Sequence, residues 1–115
     1  MAKPEQVHDE RLRGMLQDVH GQMRAGKADV AVRRLVEAFM HLLELKPEIK
    51  DATVTPRPGV TMPAIWRWPQ LGANLKMDSV RTGKPEIEFV RERFALSEAI
   101  TYYEFTLETA IRHGA

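Results

Sequence analysis

Five of the seven prolines fall in one stretch, between Pro47 and Pro69. Each removes a backbone donor and pushes the residue before it out of the helical region, so no helix of ordinary length fits there. Regular helical structure is thereby confined to two blocks, one ending near Lys46 and one beginning near Lys84. Both carry helical apolar periodicity, so the predicted class is mainly α, with a Pro-rich irregular arm over 47–83 between the blocks.

The first block reads as two helices, about 4–25 and 29–46. Pro4 suits a first turn, and Glu5, Asp9 and Glu10 suit the positive end of the helix dipole. Leu12, Met15, Leu16, Val19 and Met23 form one narrow stripe, with Gly14 and Gly21 together on the opposite face. Gly26 supplies a left-handed stop, and Asp29 is the expected N-cap of the second helix. That helix presents Val32, Leu35, Val36, Phe39, Met40, Leu42 and Leu43 on a wide face, with Arg33, Arg34, Glu37, His41 and Glu44 on the other side. A short connection between two single-faced helices predicts an antiparallel hairpin.

The second block predicts one long or kinked helix over about 85–113, on which the hairpin packs. Its apolar residues fall on two sides: Phe89, Leu96, Ile100, Tyr103, Leu107 and Ile111 on one, Ile87, Val90, Phe94 and Phe105 on the other. A straight helix would bury both sides. A break near Ala95 to Ser97, where Ser97 and Glu98 read as a new helix start, would merge them into one core face.

Within the arm, Thr53-Val54-Thr55 and Val60-Thr61-Met62 are expected to pair as short strands across Pro56-Arg57-Pro58-Gly59, with Pro confining them to an edge or an irregular ribbon. Ile65-Trp66-Arg67-Trp68-Pro69 holds both tryptophans, which share one side if the stretch is extended. Residues 70–80 read as a short helix or a further extended stretch. An excursion of this length inside a 115-residue chain, expected to form a single domain over 1–115, marks a functional loop or an embracing arm, and its apolar content argues against disorder.

Composition narrows the function classes. The chain has no cysteine, which excludes disulfides, thiolate nucleophiles and Cys-based metal sites. Seventeen Lys and Arg against sixteen Asp and Glu give a net charge of +1, without the strong field of a dedicated nucleic-acid or membrane-surface binder. Locally, Lys46, Lys50, Arg57, Arg67, Lys76, Arg81 and Lys84 face only Glu48, Asp51 and Asp78, so the arm is the most basic region. The densest apolar stretch, Leu35 to Leu45, is too short to span a bilayer, and the polar start Met-Ala-Lys-Pro-Glu-Gln carries no export signal. A cytoplasmic protein that does not engage membranes is the expectation.

No constellation carries catalysis, a cofactor or a metal. Glu37, His41 and Glu44 project from one helix face, but a bundle metal site needs matching ligands from facing helices, and Arg33 makes an ion-pair ladder the simpler account. Glu104 and Glu108 are one turn apart, with Arg112 following to neutralise them. His8, His20 and His113 have no nucleophile at an interpretable spacing. Thr82-Gly83-Lys84-Pro85 lacks the first Gly and the Ser or Thr of a phosphate loop and reads as a turn.

These features favour a small non-catalytic accessory subunit, of a multisubunit enzyme or another assembly, that binds a larger protein or self-associates through its arm and C-terminal helix. Trp66, Arg67, Trp68, Phe89 and Phe105 are the candidate interface residues, since Trp and Arg dominate interface hot spots. Two alternatives belong to other classes. One is a small enzyme or ligand-binding domain whose pocket is lined by Trp66, Trp68, Tyr102 and Tyr103. The other is a nucleic-acid-binding module that stacks bases on the tryptophans and contacts phosphates with the basic arm.

Overall fold

The computed structural model describes residues 2–50, 53–63, 75–77, 87–89 and 93–115. The protein is mainly helical, with α1 (Glu10–Arg24), α2 (Ala28–Leu45) and α3 (Leu96–Arg112) sharing one apolar core. Two antiparallel two-stranded ribbons lie between α2 and α3 in sequence, β1 (Thr53–Arg57) with β2 (Val60–Pro63) and β3 (Leu75–Met77) with β4 (Ile87–Phe89).

The helical hairpin follows from the predicted faces. α1 buries Leu12, Leu16, Val19 and Met23. α2 buries Ala28, Ala31, Val32, Leu35, Ala38, Phe39, Leu42 and Leu43, where the alanines let neighbouring helices approach closely. Gly26, at φ 74°, ends α1. Its N–H donates to Met23 O at 3.0 Å and that of Lys27 to Gln22 O at 2.9 Å, satisfying carbonyls that the helix end would orphan.

The first helix starts later than expected. Pro4 opens a 3-10 turn over Pro4–Gln6, the chain then extends, and Asp9 caps α1 by accepting the Leu12 N–H at 2.8 Å. A helix running continuously from residue 4 would lose this cap and the seating of Val7, which is buried in the core. Arg13 fixes the corner, donating from Nε to Val7 O at 2.9 Å and from Nη2 to His8 O at 3.1 Å.

The C-terminal helix is shorter than the predicted 85–113. Ile87–Phe89 form β4, paired Met77 to Ile87, Lys76 to Glu88 and Leu75 to Phe89. Apolar, acidic, apolar alternation there suits a strand as well as a helix, and cross-strand pairing decides it. Phe94 precedes α3 and is buried, its N–H donating to Asp29 Oδ1 at 2.6 Å. Asp29 is therefore not the N-cap of α2, a position held by Lys27; its carboxylate ties the approach to α3 onto the first turn of α2. α3 restarts where the merged-face reading requires, but Ala95 rather than Ser97 is the N-cap, with its N–H bonded to Glu98 Oε1 at 3.0 Å.

α3 buries Ala99, Tyr102, Tyr103, Thr106, Leu107, Thr109 and Ala110. The Thr106 and Thr109 hydroxyls donate to Tyr102 O and Phe105 O at 2.8 and 2.7 Å, so both sit in the core with their polar atoms satisfied. Gly114, at φ 74°, ends α3 as Gly26 ends α1, and Ala115 O then accepts the N–H groups of His8 and Asp9 at 2.7 and 3.2 Å. The end of α3 is thus fastened to the start of α1.

The expected β1–β2 ribbon forms. Its register is Thr53 to Pro63, Val54 to Met62 and Arg57 to Val60, with an irregularity between Val54 and Arg57 that accommodates Pro56. Pro58 then Gly59, at φ 81°, supply the residue types of a type II turn.

Candidate functional site

A groove of about 750 Å³ runs between α1 and α3 and is closed on one side by residues 2–5. Met23, Ile100, Tyr103 and Leu107 give it an apolar floor, and Glu5, Glu104 and Glu108 stand on it with Lys3, Gln17 and His20. His20 from α1 stacks on Tyr103 from α3, with centroids 5.8 Å apart and ring planes inclined by 30°. Burial pushes the Tyr103 hydroxyl up to about 12, and the negative charges of Glu5 and Glu104 add to the effect. Carboxylates from two separate segments thus lie close to the groove floor.

The apolar floor continues out of the groove along α3. Leu96, Ile100, Tyr103 and Leu107 recur at heptad spacing on one face of the helix. Tyr103 and Leu107 are covered by the neighbouring elements, whereas Leu96 and Ile100 are 42% and 39% exposed. One seam is buried at one end and bare at the other.

A second cluster joins α1 to α2. His41 Nε2 lies 3.1 Å from Asp9 Oδ2, the oxygen that also caps α1, and His41 Nδ1 lies 3.8 Å from Glu44 Oε2. The Leu12 N–H holds the Asp9 carboxyl below the usual carboxylate range, opposed by partial burial and assisted by His41 and Arg11. His41 is thus not on the solvated face that the sequence suggests. Its side chain is only 13% exposed, while Glu37 and Glu44 face solvent. Among the described residues no three His, Asp or Glu side chains converge as metal ligands would.

The remaining sequence candidates divide three ways. Trp66, Arg67, Trp68 and the Thr82–Pro85 turn lie outside the described residues, so the aromatic pocket they would form with the tyrosines is not described. Phe89 is the last residue of β4, and Phe105 is half-buried against the core on a different side of α3 from Ile100. Tyr102 is fully buried in the core; Tyr103 faces the groove. Sequence reasoning did not bring out the groove or the Asp9–His41 contact. Glu104 and Glu108 beside the Ile100 stripe signal the groove's α3 wall, whereas Glu5 and His20 join it only by tertiary placement. Comparison with protein-family models, with curated proteins and with solved structures returns no match.

Proposed function

We propose that the chain is a non-catalytic accessory protein that docks onto a larger protein through the α1–α3 face. The observation that carries this is the α3 seam, whose apolar residues leave the core at Tyr103 and continue partly exposed through Ile100 to Leu96. Isolated exposed apolar residues are ordinary on a protein surface, but a run at heptad spacing leading into an apolar groove is the pattern of a helix-docking site. Trp66, Arg67 and Trp68 belong to the same proposal on residue type alone, as anchors carried by the arm.

The test compares affinity capture by the full chain with capture by Leu96→Asp and Ile100→Asp variants. Both sites are exposed, so both variants should keep the wild-type far-UV circular dichroism. The expected result is a protein that co-elutes in fixed proportion with the wild type and is lost with either variant. Identical captured sets from wild type and folded variants would remove the α1–α3 face as the docking surface.

A further inference from the structure

The docking reading leaves the partner's chemistry open, and the rim of the groove addresses it. We infer that the α1–α3 groove takes a basic amphipathic helix, its apolar residues seated on Leu96 and Ile100 and its Lys or Arg side chains beside Glu5, Glu104 and Glu108. The inference rests on the docking reading and adds the sign of the partner's charge and its helical form.

Three observations converge. The first is charge: three carboxylates line the groove against Lys3, with Arg112 beside Glu108 just outside it. Glu104 and Glu108 are one turn apart on α3, and Glu5 comes from the N-terminal turn beside them, so cations along that flank of an incoming helix find a partner. Burial is the main reason that the Tyr103 hydroxyl is pushed up, and the nearby charges of Glu5 and Glu104 add to it.

The second is shape. From Leu96 to Leu107 the seam advances about 16 Å along α3, and Leu96 lies beyond the groove lining. A compact organic cation would fill the groove and leave Leu96 bare. A helix laid along this face covers Leu96 and Ile100, one turn apart, while its flank lies over the groove.

The third concerns self-association. A two-fold symmetric pairing of copies through this face would set the acidic rim against its own like charge. A partner of opposite charge meets no such opposition.

The test uses fluorescently labelled synthetic peptides of about 18 residues, long enough to cover the seam as a helix, and anisotropy titration of the full chain. One peptide has Leu at heptad a and d positions with Lys and Arg on the flanks; a second keeps the leucines but carries Glu flanks; a third scrambles the basic peptide to destroy the heptad. Rim ion pairs are individually weak, so the combined preference for the basic over the acidic heptad peptide is expected to be about tenfold at low salt. The Glu104→Gln/Glu108→Gln double variant should abolish most of that preference, and Ile100→Asp, or Leu96→Gln as a milder second variant, should weaken both heptad peptides.

If the two heptad peptides bind equally to the wild type and both are weakened by Ile100→Asp, the docking face stands and the charge inference is overturned. Equal binding of the scrambled basic peptide reduces the effect to bulk attraction and overturns the helical partner. If no peptide binds and capture by wild type and variants is identical, the docking reading itself fails. A concentration-dependent dimer that Ile100→Asp dissolves would make a second copy the occupant and overturn the inference in its stated form.

Discussion

Asp9 joins the start of α1 to α2, and removing its carboxylate should cost more than its partly exposed position suggests. One oxygen, Oδ2, accepts both the Leu12 N–H at 2.8 Å and His41 Nε2 at 3.1 Å. The side chain is 31% exposed. Loss of an N-cap costs about 1 kcal/mol. Truncation to Ala also strands a largely buried imidazole nitrogen, a penalty of about 1–2 kcal/mol. Asp9→Ala should therefore destabilise by about 2–3 kcal/mol, lowering the melting temperature by roughly 4 °C per kcal/mol. Asp9→Asn keeps an acceptor that caps as well as Asp and can still meet His41, so it should lose only the contribution of charge, about 1 kcal/mol or less.

The assay is urea unfolding followed by far-UV circular dichroism for wild type, Asp9→Ala, His41→Ala and the double variant. A coupling energy of about 1 kcal/mol between the two sites is expected, as for residues in direct hydrogen-bonded contact. The pH dependence adds a second reading. Because the folded state depresses the Asp9 pKa, the stabilisation is complete above the unfolded value of 3.8 and is lost as pH falls through the lower folded value. The gap between wild type and Asp9→Asn should accordingly close in acid. A coupling indistinguishable from zero, or an Asp9→Ala cost below about 0.5 kcal/mol, would refute the claim that this residue joins α1 to α2.

Two other predictions follow from the geometry. Gly14 and Gly21 lie on the exposed side of α1 with no atom within 4 Å of a Cβ built there, so Gly14→Ala and Gly21→Ala should each stabilise by about 0.5–1 kcal/mol in the same urea assay. Tyr103 holds its proton to about 12, above the unfolded value of 10.0; its contribution is intact below 10.0 and is lost as pH rises toward 12, so Tyr103→Phe should flatten the alkaline limb of a stability–pH curve.

The helices were legible wherever one apolar face had one period. Leu12, Leu16, Val19 and Met23 on α1, and Leu35, Phe39 and Leu42 on α2, are buried as their spacing requires. Gly26 and Gly59 marked turns correctly because few other residues adopt their positive φ without strain. Boundaries failed where a long-range partner outbid local preference. Asp29 looks like an N-cap in sequence, yet its carboxylate is taken by the N–H of Phe94, which lies 65 positions away. Ile87 to Phe89 fits both periods, and pairing with Leu75 to Met77 selects the strand. The candidate groove was half legible for the same reason: α3 supplies Ile100, Glu104 and Glu108 at readable spacing, while Glu5, Lys3 and His20 arrive through contacts that no local pattern encodes.

The late start of α3 is what makes a one-sided helix out of a two-sided sequence. Had the helix begun near residue 85, Ile87, Val90 and Phe94 would have continued on the side opposite Ile100, and the segment would have needed burial all round. Instead Phe94 turns into the core before the helix begins, held by the Asp29 carboxylate. Ala95 is extended, and the first two residues of the apolar stripe to be helical, Leu96 and Ile100, are partly exposed. At the other end, Gly114 turns the chain so that Ala115 O bonds the N–H groups of His8 and Asp9, which fixes α3 against the start of α1. With its C-terminal end fastened and its approach latched, α3 presents the bare half of its seam in one fixed orientation. If the seam docks as proposed, this fixed orientation would lower the ordering cost of covering Leu96 and Ile100.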